Sequence, residues 1–156
     1  MSAPISVPAP ATPSLTPDAS LSEELKAELA RNAFNPCVGQ VLLSQTDKVR
    51  VWHITIAPGE RVGFHRHVLD YFWTALSAGT AQSHLNGGPA QRAEYRAGET
   101  RHLTFKRGEF LLHDLENIGA TPLTFVTVEF LASANDPLPL PASVTPRTLD
   151  TQAASA

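Results

Sequence analysis

Between residues 38 and 130 the chain breaks into short runs rich in Val, Ile, Thr, Phe and Tyr, each closed by a turn signal. No other feature constrains the fold as much. The runs fall at 38–45, 48–57, 62–67, 71–77, 80–86, 92–96, 101–105, 109–113 and 122–130. Between them stand breaks such as Thr46-Asp47, Pro58-Gly59, Asn86-Gly87-Gly88-Pro89, Ala97-Gly98 and Asn117-Ile118-Gly119. A short strand buries one face, and many of them joined by tight turns do so by closing two sheets on each other. The pattern therefore predicts an all-β barrel or sandwich. No strand–helix–strand alternation appears, which argues against a parallel, doubly wound sheet. With 42% hydrophobic and 17% charged residues, the chain has enough apolar side chains for a packed core.

The ends read differently. Residues 1–20 are mainly Ala, Pro, Ser and Thr and include Pro4, Pro8, Pro10, Pro13 and Pro17, which predicts a disordered arm. Residues 135–156 include Pro137, Pro139, Pro141 and Pro146 and read as a loose tail. One folded unit over 21–134 remains. It opens with a helix at 21–31, where Leu21, Leu25 and Leu29 line one face. Ser20 with Glu23 resembles a capping box, and Asn35-Pro36 stops the helix from continuing.

Several function classes drop out. A net charge of −3 disfavours a basic grip on nucleic acid, and the lone short helix supplies no helix-turn-helix. No apolar run approaches the roughly 18 residues of a membrane span. The beginning of the chain lacks the basic and apolar regions of a secretory leader, so a cytoplasmic location is expected. The single cysteine, Cys37, cannot form an internal disulfide or a Cys-rich zinc site. No nucleophile elbow, phosphate loop or dinucleotide fingerprint is present.

The six histidines carry the chemistry, above all His65 and His67. Residues i and i+2 of a strand share a face, so these imidazoles are placed to grip one ion. Neutral imidazole suits iron, zinc, manganese, nickel or copper. Taken alone, the pair fits surface histidines on an edge strand equally well.

The surroundings of the pair resemble the first motif of the cupin family, G-x5-H-x-H-x3,4-E-x6-G. Gly59, His65 and His67 stand at its spacing, and Gly79 closes the frame. Counting four residues after His67 reaches Phe72, where the family has a glutamate, so the ligand set departs from the pattern there. His113 through Asn117 matches the H-x3-N ending of the second motif, whose first part fits less well around Gly98 and Gly108. The string His65-Arg66-His67-Val68-Leu69-Asp70-Tyr71 is also similar to one found in small single-domain cupins linked with β-alanine degradation. From these only the fold and metal site are carried over.

The resemblance implies a cupin double-stranded β-helix (jelly-roll) barrel with a short N-terminal helix. It implies one divalent transition metal ion (Fe, Zn, Mn or Ni) held by His65, His67 and His113. Asp70 and Tyr71 are the catalytic candidates, for the vacant fourth ligand position or for proton transfer. Asp70 shares parity with Phe72 and would face inward if the chain is extended there. The expected activity is that of a metal-dependent cupin enzyme on a small oxygenated or carboxylate substrate, with dioxygenase, isomerase or decarboxylase chemistry. The alternatives are a small-ligand or metal sensor without turnover, and a metal-free structural barrel. Edge strands that need covering suggest a homodimer.

Other polar residues have quieter readings. Arg66 points away from its flanking histidines, as a solvated or interface residue. Tyr71 and Trp73 alternate with Phe72 and read as core packing. His53, His84 and His102 read as structural or surface residues, and Asp114 and Glu116 as exposed charge. Glu129 lies within an apolar strand, either as an interior acid/base or at a solvent-facing edge.

Overall fold

A computed structural model describes residues 15–150. One α-helix, α1 (Glu23–Arg31), precedes nine strands: β1 (Val41–Gln45), β2 (Val49–Ile56), β3 (Arg61–His67), β4 (Tyr71–Ala75), β5 (Gly79–His84), β6 (Ala90–Tyr95), β7 (Thr100–Leu103), β8 (Leu111–Asn117) and β9 (Leu123–Phe130). All named pairings are antiparallel. They form a five-stranded sheet in the order β1-β2-β9-β4-β7 and a four-stranded sheet in the order β3-β8-β5-β6. Each expected run contains or overlaps one strand. The eighth continues past its expected end at 113 to Asn117.

The interior is graded along the barrel. In-register rows cross β2, β9 and β4 at Ile54–Phe125–Ala75, Trp52–Thr127–Trp73 and Arg50–Glu129–Tyr71. One end is therefore apolar, with Ile54, Ile56, Ala81, Leu115, Leu123 and Phe125 packed together. Each of the isoleucine, leucine and phenylalanine side chains contributes about 1.5–3 kcal/mol on burial. Polar groups collect at the other end, where the histidines lie.

Helix α1 covers the outer face of β3. Leu29 and Ala33 pack on Phe64 and Leu112. The helix cap differs from the sequence reading: Ser22, not Ser20, accepts from the Leu25 N–H. Ser20 instead hydrogen-bonds the Asp18 carboxylate through its backbone and hydroxyl. Glu23 and Glu24 in the first turn and Arg31 in the last complement the helix dipole.

Where the chain is described, both ends pack on the barrel; residues 1–14 and 151–156 lie outside the described residues. Leu15 packs on the cluster beneath α1, and the Asp18 N–H donates to the Gly87 carbonyl at 2.7 Å. The tail also lies on the barrel. Leu140 and Val144 pack against Val38, Leu42 and Trp52, and the Arg147 N–H donates to the Leu42 carbonyl. Sparse apolar residues among the prolines find a groove, which composition does not reveal. No helix among the described residues is long and apolar enough to cross a membrane.

Candidate metal centre

The histidine strand reaches its geometry through a bulge. Along β3, Val62 pairs with Leu115 and His65 with His113, so Gly63 and Phe64 stand opposite the single residue Asp114. The extra residue shifts the side-chain parity. Val62 packs toward the core, and past the bulge His65 and His67 point inward while Phe64 and Arg66 point outward.

Three backbone groups of the bulge have side-chain partners. The Phe64 N–H donates to Glu28 Oε2 at 2.8 Å, and Asn35 Nδ2 donates to the Phe64 carbonyl at 3.0 Å. His65 Nδ1 lies 2.9 Å from the Gly63 carbonyl. A Cβ at Gly63 would sit 2.8 Å from Glu28 Oε2, so glycine lets the helix carboxylate approach this closely. Glu28 also forms a two-pronged pair with Arg61, at 2.8 and 3.0 Å, and Arg61 Nε donates to Asp114 at 2.8 Å. Together these contacts tie α1 to the strands that carry all three histidines.

His65, His67 and His113 converge, with one ring nitrogen from each within 4.8 Å of the others. The Nε2 atoms of His67 and His113 lie 3.2 Å apart. Two nitrogens bound to one ion at about 2.0–2.1 Å are separated by roughly 2.8–3.4 Å in octahedral or tetrahedral geometry, so the 3.2 Å spacing suits a shared ion. A carbonyl only accepts, so His65 Nδ1 carries the hydrogen and leaves Nε2 free as a donor atom. Burial lowers the pKa of all three imidazoles, and their proximity lowers those of His67 and His113 further. They are therefore neutral near pH 7, the form that binds metal. The donor set fits a divalent transition metal.

A cavity of about 50 Å³ opens onto the three rings. Trp73, Tyr95 and Phe125 form an edge-to-face aromatic wall, and Tyr71 and Thr127 complete the polar side. The Tyr71 ring stacks on His67. Burial, with Glu129 nearby, raises its phenol pKa, so the hydroxyl stays protonated.

The glutamate count needs correcting. Phe72 is on the outer face, against His102 and Phe130. The three-residue spacing after His67 falls on Tyr71, which occupies the inward position. Asp70 lies outside the histidine group. The chain bends at Leu69, so parity does not carry through from Phe72. The Asp70 carboxylate instead accepts from the Phe105 N–H at 2.9 Å.

Other readings change as well. Arg66 is buried between Phe34 and Phe110 rather than solvated. Asp114 is buried and holds Arg61 and the His84 ring. Glu129 faces inward and accepts from Trp52 Nε1 at 2.9 Å; burial pushes its pKa up to about 7. His102 is exposed. Cys37 is half-buried, and its thiol pKa is raised by burial. Sequence reasoning missed Glu28, Asn35 and Arg61 as supports of the site. The available signal was Gly63, an isolated glycine within a strand run, which marks a bulge or a close approach.

The chain is thus a two-sheeted antiparallel barrel with an inward-facing three-histidine cluster at one end. Its fold is the cupin fold, the double-stranded β-helix. A cupin domain from Bordetella pertussis Tohama I is similar, at TM-score 0.50 and 23% identity over 58% of this chain and 88% of that domain. An RmlC-like cupin family protein from Methanocaldococcus jannaschii gives TM-score 0.47 and 20% identity, over 58% and 76%. A double-stranded β-helix protein from Klebsiella pneumoniae gives 0.47 and 22%, over 75% and 94%. The fold assignment rests on the Bordetella domain and on the strand order above. No family model matches the sequence, and no curated protein matches it.

Proposed function

We propose that this protein is a small metal-dependent enzyme that binds one divalent transition metal through His65, His67 and His113. Its substrate is a small oxygenated or carboxylate compound. The observation that carries this reading is the convergence of three neutral imidazoles, two buried and one half-buried, on one cavity. A metal bound there supplies Lewis-acid polarisation of substrate oxygens or, if iron, dioxygenase chemistry.

The chain's own groups have separate tasks. The Trp73–Tyr95–Phe125 wall excludes water and favours a flat or short ligand. The protonated Tyr71 hydroxyl donates a hydrogen bond, or a proton, to a developing oxyanion. Asp70 has no part in this scheme, because its carboxylate holds the loop before β8.

A second reading, a ligand or metal sensor without turnover, draws on one observation. The group of candidate ligands contains no carboxylate, and a tyrosine stands at the inward position. Elemental mass spectrometry of untagged protein, followed by assay of small keto, hydroxy and carboxylic acids with oxygen uptake, separates the two. An enzyme holds about one metal per chain and loses metal and turnover together in His113→Ala. A sensor holds the metal and forms no product.

A cytoplasmic homodimer completes the proposal. The exposed edge strand β6 supports pairing, and sedimentation velocity tests it.

A further inference from the structure

Arg66 stands between two metal-ligand candidates in sequence and on the opposite side of the strand in space. Its side chain is only 5% exposed. The guanidinium lies 3.8 Å from the Phe110 ring centroid and 4.4 Å from that of Phe34. Nη1 donates to the Ala33 carbonyl at 3.2 Å, while Nε is buried with no partner. Among the described residues no carboxylate forms an ion pair with it. An arginine so buried ordinarily has an anion beside it, because the unpaired charge is costly to desolvate.

The neighbourhood deepens the imbalance. Arg50, 6% exposed, also has an unpartnered Nε, and its Nη1 reaches the Leu138 carbonyl at 3.3 Å. Arg50 and Arg66 line one narrow crevice in which Glu129 is the only carboxylate among the described residues. Two cations thus face one acid, and that acid already accepts from Trp52. Arg66 also lines a second, open cavity of about 200 Å³, with Phe34, Val68 and Leu138 as its apolar walls.

We propose that this open cavity is a second ligand site, in which Arg66 anchors the carboxylate of a small monocarboxylate. The apolar walls suit a short hydrocarbon body, and the guanidinium supplies the charge-assisted donors. Glu109 and Asp136 also line the cavity and are exposed. Glu109 accepts from the Lys106 N–H. Two acids there repel a dianion such as phosphate and leave a monoanion favoured. The site is separate from the histidine centre, and the proposal does not depend on the metal.

Calorimetric titration of the full chain with butyrate tests it, with butanol and inorganic phosphate as comparison probes. Protein is used as purified and after chelator treatment. Millimolar-range butyrate binding is expected in both, with none for butanol and weaker binding for phosphate. Arg66→Gln is expected to weaken butyrate by at least about tenfold, the loss of a charged hydrogen bond. If Arg66→Gln does not fold, Leu138→Trp decides the matter by filling the cavity and leaving the guanidinium in place. Wild-type affinity in either folded variant overturns the proposal. So does the absence of butyrate binding in the wild type, or its disappearance in His113→Ala, which would place the carboxylate at the histidines.

Discussion

The Tyr71 ring lies flat on the His67 imidazole, with centroids 4.0 Å apart and planes 12° apart. This stack orients a ring whose Nδ1 has no hydrogen-bond partner among the described residues. It also brings a protonated phenol beside the cluster. Tyr71→Phe keeps the stack and removes the hydroxyl. Metal content should stay at the wild-type level while turnover falls roughly 10²-fold, the usual contribution of a positioned proton donor. Full turnover in this variant would remove the phenol from proton transfer.

Metal binding should respond to acid in a defined direction. Burial lowers all three imidazole pKa values from 6.5, so loading should persist below pH 6.5 and fail on further acidification. In metal-free protein the same groups contribute stability that is full above about 6.5, the unfolded value, and is lost as pH falls below it. Metal at a hundredfold excess over its Kd should add about 2.7 kcal/mol. Urea titrations with and without metal, between pH 5 and 8, measure both effects.

Glu129 acts with the opposite sign. Its carboxyl is held up to about 7 in the native state, against 4.5 for the ordinary side chain. The proton is therefore bound more tightly when the protein is folded. The resulting stability is present below about 4.5 and lost as pH rises through 7. Glu129→Gln keeps an oxygen for the Trp52 N–H and has no charge to acquire. Its unfolding free energy should gain on the wild type by up to about 2–3 kcal/mol between pH 5 and 8. A gap that does not change with pH would show that Glu129 is already ionised at pH 5.

Arg61 joins Glu28 on α1 to Asp114 on β8. Removing it leaves the fully buried Asp114 carboxylate with His84 as its remaining side-chain partner. Arg61→Ala should cost about 2–4 kcal/mol of stability, near the value for breaking a buried pair. It should also weaken metal binding, because the bulge loses the partner that holds Glu28. Chelator competition reads the second effect. Unchanged metal affinity in the folded variant would show that the bulge holds its shape alone.

The strand runs, the turn positions and all three histidines were legible in the sequence, because each depends on local pattern or fixed spacing. What failed depended on contacts distant in sequence. Alternation correctly turned Arg66 away from the histidines, but it does not report that Phe34 and Phe110 wait on that side. Parity counted back from Phe72 to Asp70 fails at the bend at Leu69. The tail reads as loose because its prolines outnumber the few residues, among them Leu140 and Val144, that dock it. Ser20 and Ser22 are both acceptable helix caps, and only the path of the preceding chain selects the second.

The bulge at Gly63-Phe64 has a consequence for how this chain tolerates change. Two residues there stand opposite Asp114 alone, so deleting one leaves a regular ladder in which Val62, His65 and His67 keep their inward side. The facing of the histidines therefore survives a single-codon deletion between Val62 and His65. What the deletion removes is the slack that brings the Phe64 N–H to Glu28 and the Phe64 carbonyl to Asn35. The extra residue is thus a fastening for the helix rather than the source of the ligands' orientation. A deletion variant should keep its metal and lose stability.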